Sequence, residues 1–122
     1  MKKIFILAFL FIAVNCFSQS SLKFATTKHT FGKIKQNIPA TFVFTFNNTG
    51  SKPLVVEVAT AECGCTTPSY PKEPIAKGKQ GSIKVTYNAA APGLFSKKVT
   101  VKFANIDEPT ILTIEGEVTT KK

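Results

Sequence analysis

Cys63 and Cys65, separated by Gly64, are the only closely spaced thiols in the chain, and His29 is its only histidine. Two cysteines one residue apart support four readings. Joined to each other, they form a disulfide where the turn brings their Cα atoms within about 4.4–6.8 Å. A ring closed over one residue tends towards strain and easy reduction, and the loop-entropy relation, pushed down to three residues, gives it only about 1.6 kcal/mol of stabilisation. As thiolates, they could grip a soft metal such as Cu(I) or Zn, with Gly64 relieving the turn. Zinc would need further ligands, and His29 could supply one only if the fold brings the early strands beside the cysteine loop. The third reading is a bond to a partner's thiol. In the fourth, Cys63 or Cys65 packs as a small apolar side chain while Gly64 permits a sharp turn. The spacing favours a labile disulfide over a metal site.

Enzyme signatures are otherwise absent from the sequence. There is no Gly-x-Ser-x-Gly elbow, no His-Glu-x-x-His and no second histidine for a relay, and Gly78-Lys79 lacks the Ser or Thr that completes a phosphate loop. A thioredoxin motif spaces its cysteines by two residues ahead of a helix, whereas here the spacing is one and Pro68 follows. Glu62 and Glu73 read as solvated loop carboxylates. The expectation is a non-enzymatic protein without a cofactor, with copper or zinc at the cysteines as the alternative.

The elements that must position these residues alternate with period two from Ser21 onward, broken at intervals of about ten residues by Gly, Pro or Asn, an all-β pattern. Residues 22–26 form a first short strand and residues 31–34 continue the same edge. Residues 41–47 put Phe42, Phe44 and Phe46 on one face. Inward-facing sets follow at Leu54, Val56 and Val58, with Glu57 outward, then at Ile83, Val85 and Tyr87, at Val99, Val101 and Phe103, and at Leu112, Ile114 and Val118. The last two strands should pair antiparallel, setting outward lysines against outward glutamates. Between residues 60 and 82, Pro68, Pro71, Pro74, Gly78 and Gly81 prevent a long helix or central strand. Ile75 anchors that connection to the core, and the chain crosses there from one sheet to the other. About seven short strands in this length predict an immunoglobulin-like two-sheet β-sandwich. With no Trp, and with cysteines too close to staple two sheets, its core must be aliphatic and phenylalanine-based.

Lys2 and Lys3 precede eleven uncharged residues, 4–14, and then Asn15-Cys16-Phe17-Ser18-Gln19. This is the pattern of a signal peptide, residues 1–18, cleaved after Ser18. Its apolar run is well short of the ~20 residues that span a bilayer, so the mature chain is expected to carry no transmembrane segment. Cys16 would be lipid-modified in a lipoprotein signal, but Asn15 stands where such signals place a small residue. The expectation is a secreted or periplasmic protein with one domain, residues 19–122. Without Lys2 and Lys3, 14 lysines face 7 acidic residues, a net charge of +7. None of the basic residues is Arg, and the lysines are scattered without an aromatic platform, which argues against nucleic acid as a partner.

Lys28-His29-Thr30-Phe31-Gly32-Lys33-Ile34, the Phe-rich strand ending in Asn47-Asn48-Thr49-Gly50, Pro53-Leu54-Val55-Val56 and Cys63-Gly64-Cys65-Thr66 together resemble the domain-of-unknown-function family 1573. Tyr70-Pro71-Lys72-Glu73-Pro74-Ile75, Pro92-Gly93 and the closing Leu112-Thr113-Ile114-Glu115-Gly116-Glu117-Val118 fit it in the same order. Thr30 departs from it, standing where an acidic residue is common. The resemblance implies an exported bacterial protein with an immunoglobulin-like sandwich used as an interaction module, and the sandwich pattern without catalytic groups makes a protein or cell-envelope component the expected partner. It implies no reaction.

Overall fold

The computed structural model describes residues 21–120, so the proposed signal peptide and Cys16 lie outside the described residues. Eight strands follow in order: β1 (Leu22–Phe24), β2 (Lys28–Lys35), β3 (Ala40–Asn48), β4 (Val56–Ala61), β5 (Thr66–Ser69), β6 (Gln80–Tyr87), β7 (Gly93–Phe103) and β8 (Thr110–Thr119). They form two four-stranded sheets, ordered β1-β3-β6-β5 in sheet 1 and β2-β8-β7-β4 in sheet 2. The expected two-sheet sandwich is present, with one strand more than the alternation suggested.

β3 and β6 hold the centre of sheet 1 in the register Phe44↔Ile83 and Phe46↔Gly81. Phe44, Phe46, Ile83 and Val85 are fully buried, and Phe42 is half-buried at the margin of the same face. Burying a side chain of this size is worth about 1.5–3 kcal/mol. Phe46 meets Phe103 of sheet 2 edge to face, with centroids 5.3 Å apart, so the two sheets interlock through aromatic rings. Gly81 makes room for this packing, since a Cβ there would overlap the Phe46 ring.

Sheet 2 departs from the sequence expectation in three places. First, residues 31–34 do not continue the β1 edge. Ala25 N still donates to Thr45 O in sheet 1, but Thr113 N already bonds Thr27 O in sheet 2. The Thr26 hydroxyl, which accepts from Lys28 N, fixes the switch, and β2 then runs parallel to β8. Second, β7 and β8 do pair antiparallel, but Lys98 faces Thr113 and Lys97 faces Ile114. The glutamates meet lysines on β2 instead: Lys28 Nζ lies 3.3 Å from Glu115, and Lys33 is the register partner of Glu117. Third, the register of β4 against β7 shifts between Val56 and Val58. That extra residue turns Val58 outward, 42% exposed, and sends Ala59 inward in its place.

The crossing between sheets lies within the predicted stretch and is short. β4 ends in sheet 2 at Ala61, β5 begins in sheet 1 at Thr66, and residues 62–65, which hold both cysteines, make the entire connection. β5 carries Pro68 and is an edge strand, where a missing N–H is tolerated. Ile75 bridges Leu54 and packs against the core, as expected.

Candidate functional site

Alternation ends where β4 leaves its sheet, and the chain there is held by backbone bonds to both sheets. Glu62 N donates to Lys98 O at 3.3 Å, and the Glu62 carboxylate accepts from Lys98 N at 3.0 Å. Thr66 N closes the turn onto Cys63 O at 3.3 Å, and Asn88 N fastens Cys65 O at 2.9 Å. The turn sets the two cysteine Cα atoms 5.3 Å apart, and Cys63 and Cys65 form a disulfide.

The two sulfurs have different surroundings. Cys65 packs against the hydrophobic core. Gly64 is exposed between them. The expectation that glycine relieves this turn needs correction: Gly64 is not in the left-handed region, and a Cβ placed on it would meet nothing within 4 Å. The turn closes through the Thr66 N to Cys63 O bond, and the space at Gly64 would accept a Cβ.

Thr66, which sequence reasoning passed over, completes the site. It is 4% exposed, and its hydroxyl oxygen lies 3.6 Å from Cys65 Sγ and 3.8 Å from Cys63 Sγ. Because disulfide sulfurs carry no proton, the hydroxyl is the donor. The signal for Thr66 was slight, because an inward-facing Thr at a strand start looks like any β-former. Asn48 was also missed as a buried residue. It is 2% exposed, donates from Nδ2 to Lys52 O and Ile75 O, and accepts from Gly50 N, which ties the β3–β4 and β5–β6 loops together. Its place two residues beyond Phe46 on the inward parity of β3 would have located it.

The structure does not bring His29 to the cysteines. β2 and β4 are the two outer strands of sheet 2, three strand spacings or roughly 14 Å apart. The imidazole stacks on Phe42 with a centroid separation of 3.7 Å and takes Phe31 edge-on at 4.7 Å. Among the described residues, no group of three or more His, Cys, Asp and Glu side chains could hold a metal ion. Copper or zinc at Cys63 and Cys65 would require the reduced pair, since the ligand is the thiolate. No helix among the described residues is long and apolar enough to cross a membrane. A groove of about 620 Å³ opens around Gly32, Leu94 and Gly116 and is lined by neither cysteine. A smaller one, about 370 Å³, adjoins the turn and is lined by Thr60, Ala61, Glu62, Lys98, Thr100 and Ile111.

The two four-stranded sheets make an immunoglobulin-like sandwich, and solved structures of similar fold include a PapD-like domain. A PapD-like domain of human CEP192 matches at 7% identity with a TM-score of 0.71, over 84% of this chain and 87% of that one. A protein of unknown function from Porphyromonas gingivalis W83 matches at 12% identity with a TM-score of 0.68, over 79% of this chain and 46% of that one. The secreted serine protease VesC from Vibrio cholerae matches at 13% identity with a TM-score of 0.63, over 82% of this chain and 23% of that one. The chain thus spans less than half of the Porphyromonas protein and less than a quarter of VesC. At such identities the likeness shows fold alone. No curated protein matches the chain. The chain belongs to the family described as Protein of unknown function (DUF1573), whose model matches residues 22–118.

Proposed function

We propose that this protein is an exported, non-enzymatic interaction module of the cell envelope, and that it receives an extended segment of a protein partner along the outer edge of β4. The observation that carries the reading is how differently the four sheet edges are defended. β1 is three residues long, β5 carries Pro68, and β2 is broken by a register shift beside Gly32 and bears Lys28, Lys33 and Lys35. These are the devices by which natural sheets refuse further strands. β4, with the sequence Val-Glu-Val-Ala-Thr-Ala, has a register shift as β2 does, between Val56 and Val58, but beyond it residues 58–61 pair without a break, its one charge is Glu57, and Val58 is 42% exposed. Added strands gain affinity from backbone bonds and specificity from alternate side chains, and an exposed edge valine suits that mode. The sequence pattern of residues 1–18 supports export.

A photo-crosslinking residue placed at Val58 of the full chain, in cells that export it, tests the reading. The expected result is a mature protein beginning at Gln19 in the envelope or medium, with one discrete adduct. That adduct should be competed by excess unmodified domain and not by the Val58→Lys variant. The same probe at Val43, which is 45% exposed on the outer face of sheet 1, should give no adduct. Equal labelling at the two positions, or none at Val58, would contradict docking at β4.

A further inference from the structure

We propose that the Cys63–Cys65 disulfide is a thiol–disulfide exchange site for accessible cysteine thiols of exported proteins, with Thr66 as the residue that stabilises the released thiolate. This stands independently of docking at β4. Thr66 buries a hydroxyl whose single proton faces the two disulfide sulfurs, with its oxygen 3.6 Å from Cys65 Sγ and 3.8 Å from Cys63 Sγ. Neutral disulfide sulfur is a weak acceptor, so this buried donor is underused in the oxidised state. Cleavage of the S–S bond would turn one of those sulfurs into a thiolate, and hydrogen bonds to ionised acceptors are about twice as strong as neutral ones. The hydroxyl therefore binds the product of cleavage, and the transition state leading to it, more tightly than it binds the disulfide.

The surroundings of the turn assign a direction. Cys65 packs against the core and lies closer to the Thr66 hydroxyl, while Cys63 is not among the residues packed against that core. A partner thiolate attacks Cys63 Sγ, a new S–S bond forms between partner and Cys63, and the Cys63–Cys65 bond breaks with its electron pair leaving on Cys65 Sγ. Thr66 donates to that thiolate. A second thiolate on the partner then attacks the partner sulfur of the mixed disulfide and releases Cys63 as a thiolate. One disulfide has been exchanged for another: the partner dithiol is oxidised by two electrons, the cysteine pair is reduced by two, and no other oxidant enters. Both cysteines stay anchored throughout, because the bonds from Thr66 N to Cys63 O and from Asn88 N to Cys65 O are made by backbone.

The test uses the oxidised mature chain and reduced glutathione as the attacking thiol, with acid quenching and intact-mass and peptide mapping. The expected product is a single glutathione adduct on Cys63. Thr66→Val should slow its formation by about fivefold, the size of one hydrogen bond to sulfur, and Thr66→Ser, which keeps the hydroxyl, should restore the rate. An adduct mapping to Cys65 would overturn the assignment. So would a disulfide that resists glutathione while the same Cys-Gly-Cys ring in a short peptide reacts, or a Thr66→Ser variant as slow as Thr66→Val. If Thr66→Val does not fold, the mapped position of the adduct in the native chain decides the matter.

Discussion

In the centre of sheet 1, Gly81 is bare because Phe46 occupies the space its Cβ would need, whereas in the cysteine turn nothing lies within 4 Å of the Cβ that Gly64 lacks. The two glycines mark regions under opposite demands. The β3–β6 pair is filled by fully buried Phe44, Phe46, Ile83 and Val85, so each residue there answers to its neighbours' volume. The turn from Glu62 to Cys65 is fixed by backbone bonds and by the Glu62 carboxylate on Lys98 N, and Gly64 at its tip is free of that constraint. What the turn answers to is the chemistry of two sulfurs and one buried hydroxyl.

Substitutions should separate the two regions by the size of their effect. Phe44→Ala should cost about 3–5 kcal/mol, enough to unfold much of a domain this small, and urea denaturation followed by circular dichroism measures it. Gly81→Ala should cost about 1–3 kcal/mol, because the added methyl must displace the Phe46 ring. Gly64→Ala should leave stability unchanged or raise it by up to about 1 kcal/mol, since the backbone there suits an L-residue and alanine restricts the unfolded chain. A Gly64→Ala cost as large as that of Gly81→Ala would erase the distinction drawn between the turn and the sheet.

Much of the sheet centre was legible because a period of two translates directly into burial: Phe44, Phe46, Ile83, Val85, Tyr87, Val99, Val101, Phe103, Leu112, Ile114 and Val118 all face the core as the alternation required. The same rule misassigned Val58, since one bulge residue inverts every side chain after it. β5 escaped notice because four residues containing a proline carry little periodic signal. The placement of β1 and β2 in different sheets depends on hydrogen bonds around Thr26, which no pattern of apolar residues records. At the site, the cysteine pair stood out by type and spacing. Thr66 did not, because its role comes from where the crossover places its hydroxyl. His29 was conspicuous as a lone imidazole, yet the fold uses its ring for stacking on Phe42.

The sandwich holds the cysteine turn by backbone bonds from Thr66 N and Asn88 N, so its fold should not depend on the disulfide. Urea denaturation of the mature chain with Cys63 and Cys65 oxidised, and again after reduction, tests this most directly. A difference in unfolding free energy of no more than about 1.6 kcal/mol, with a native circular dichroism spectrum in both states, is the predicted result. Reduction that unfolds the domain, or that costs it several times that amount, would make the bond a staple and contradict the account.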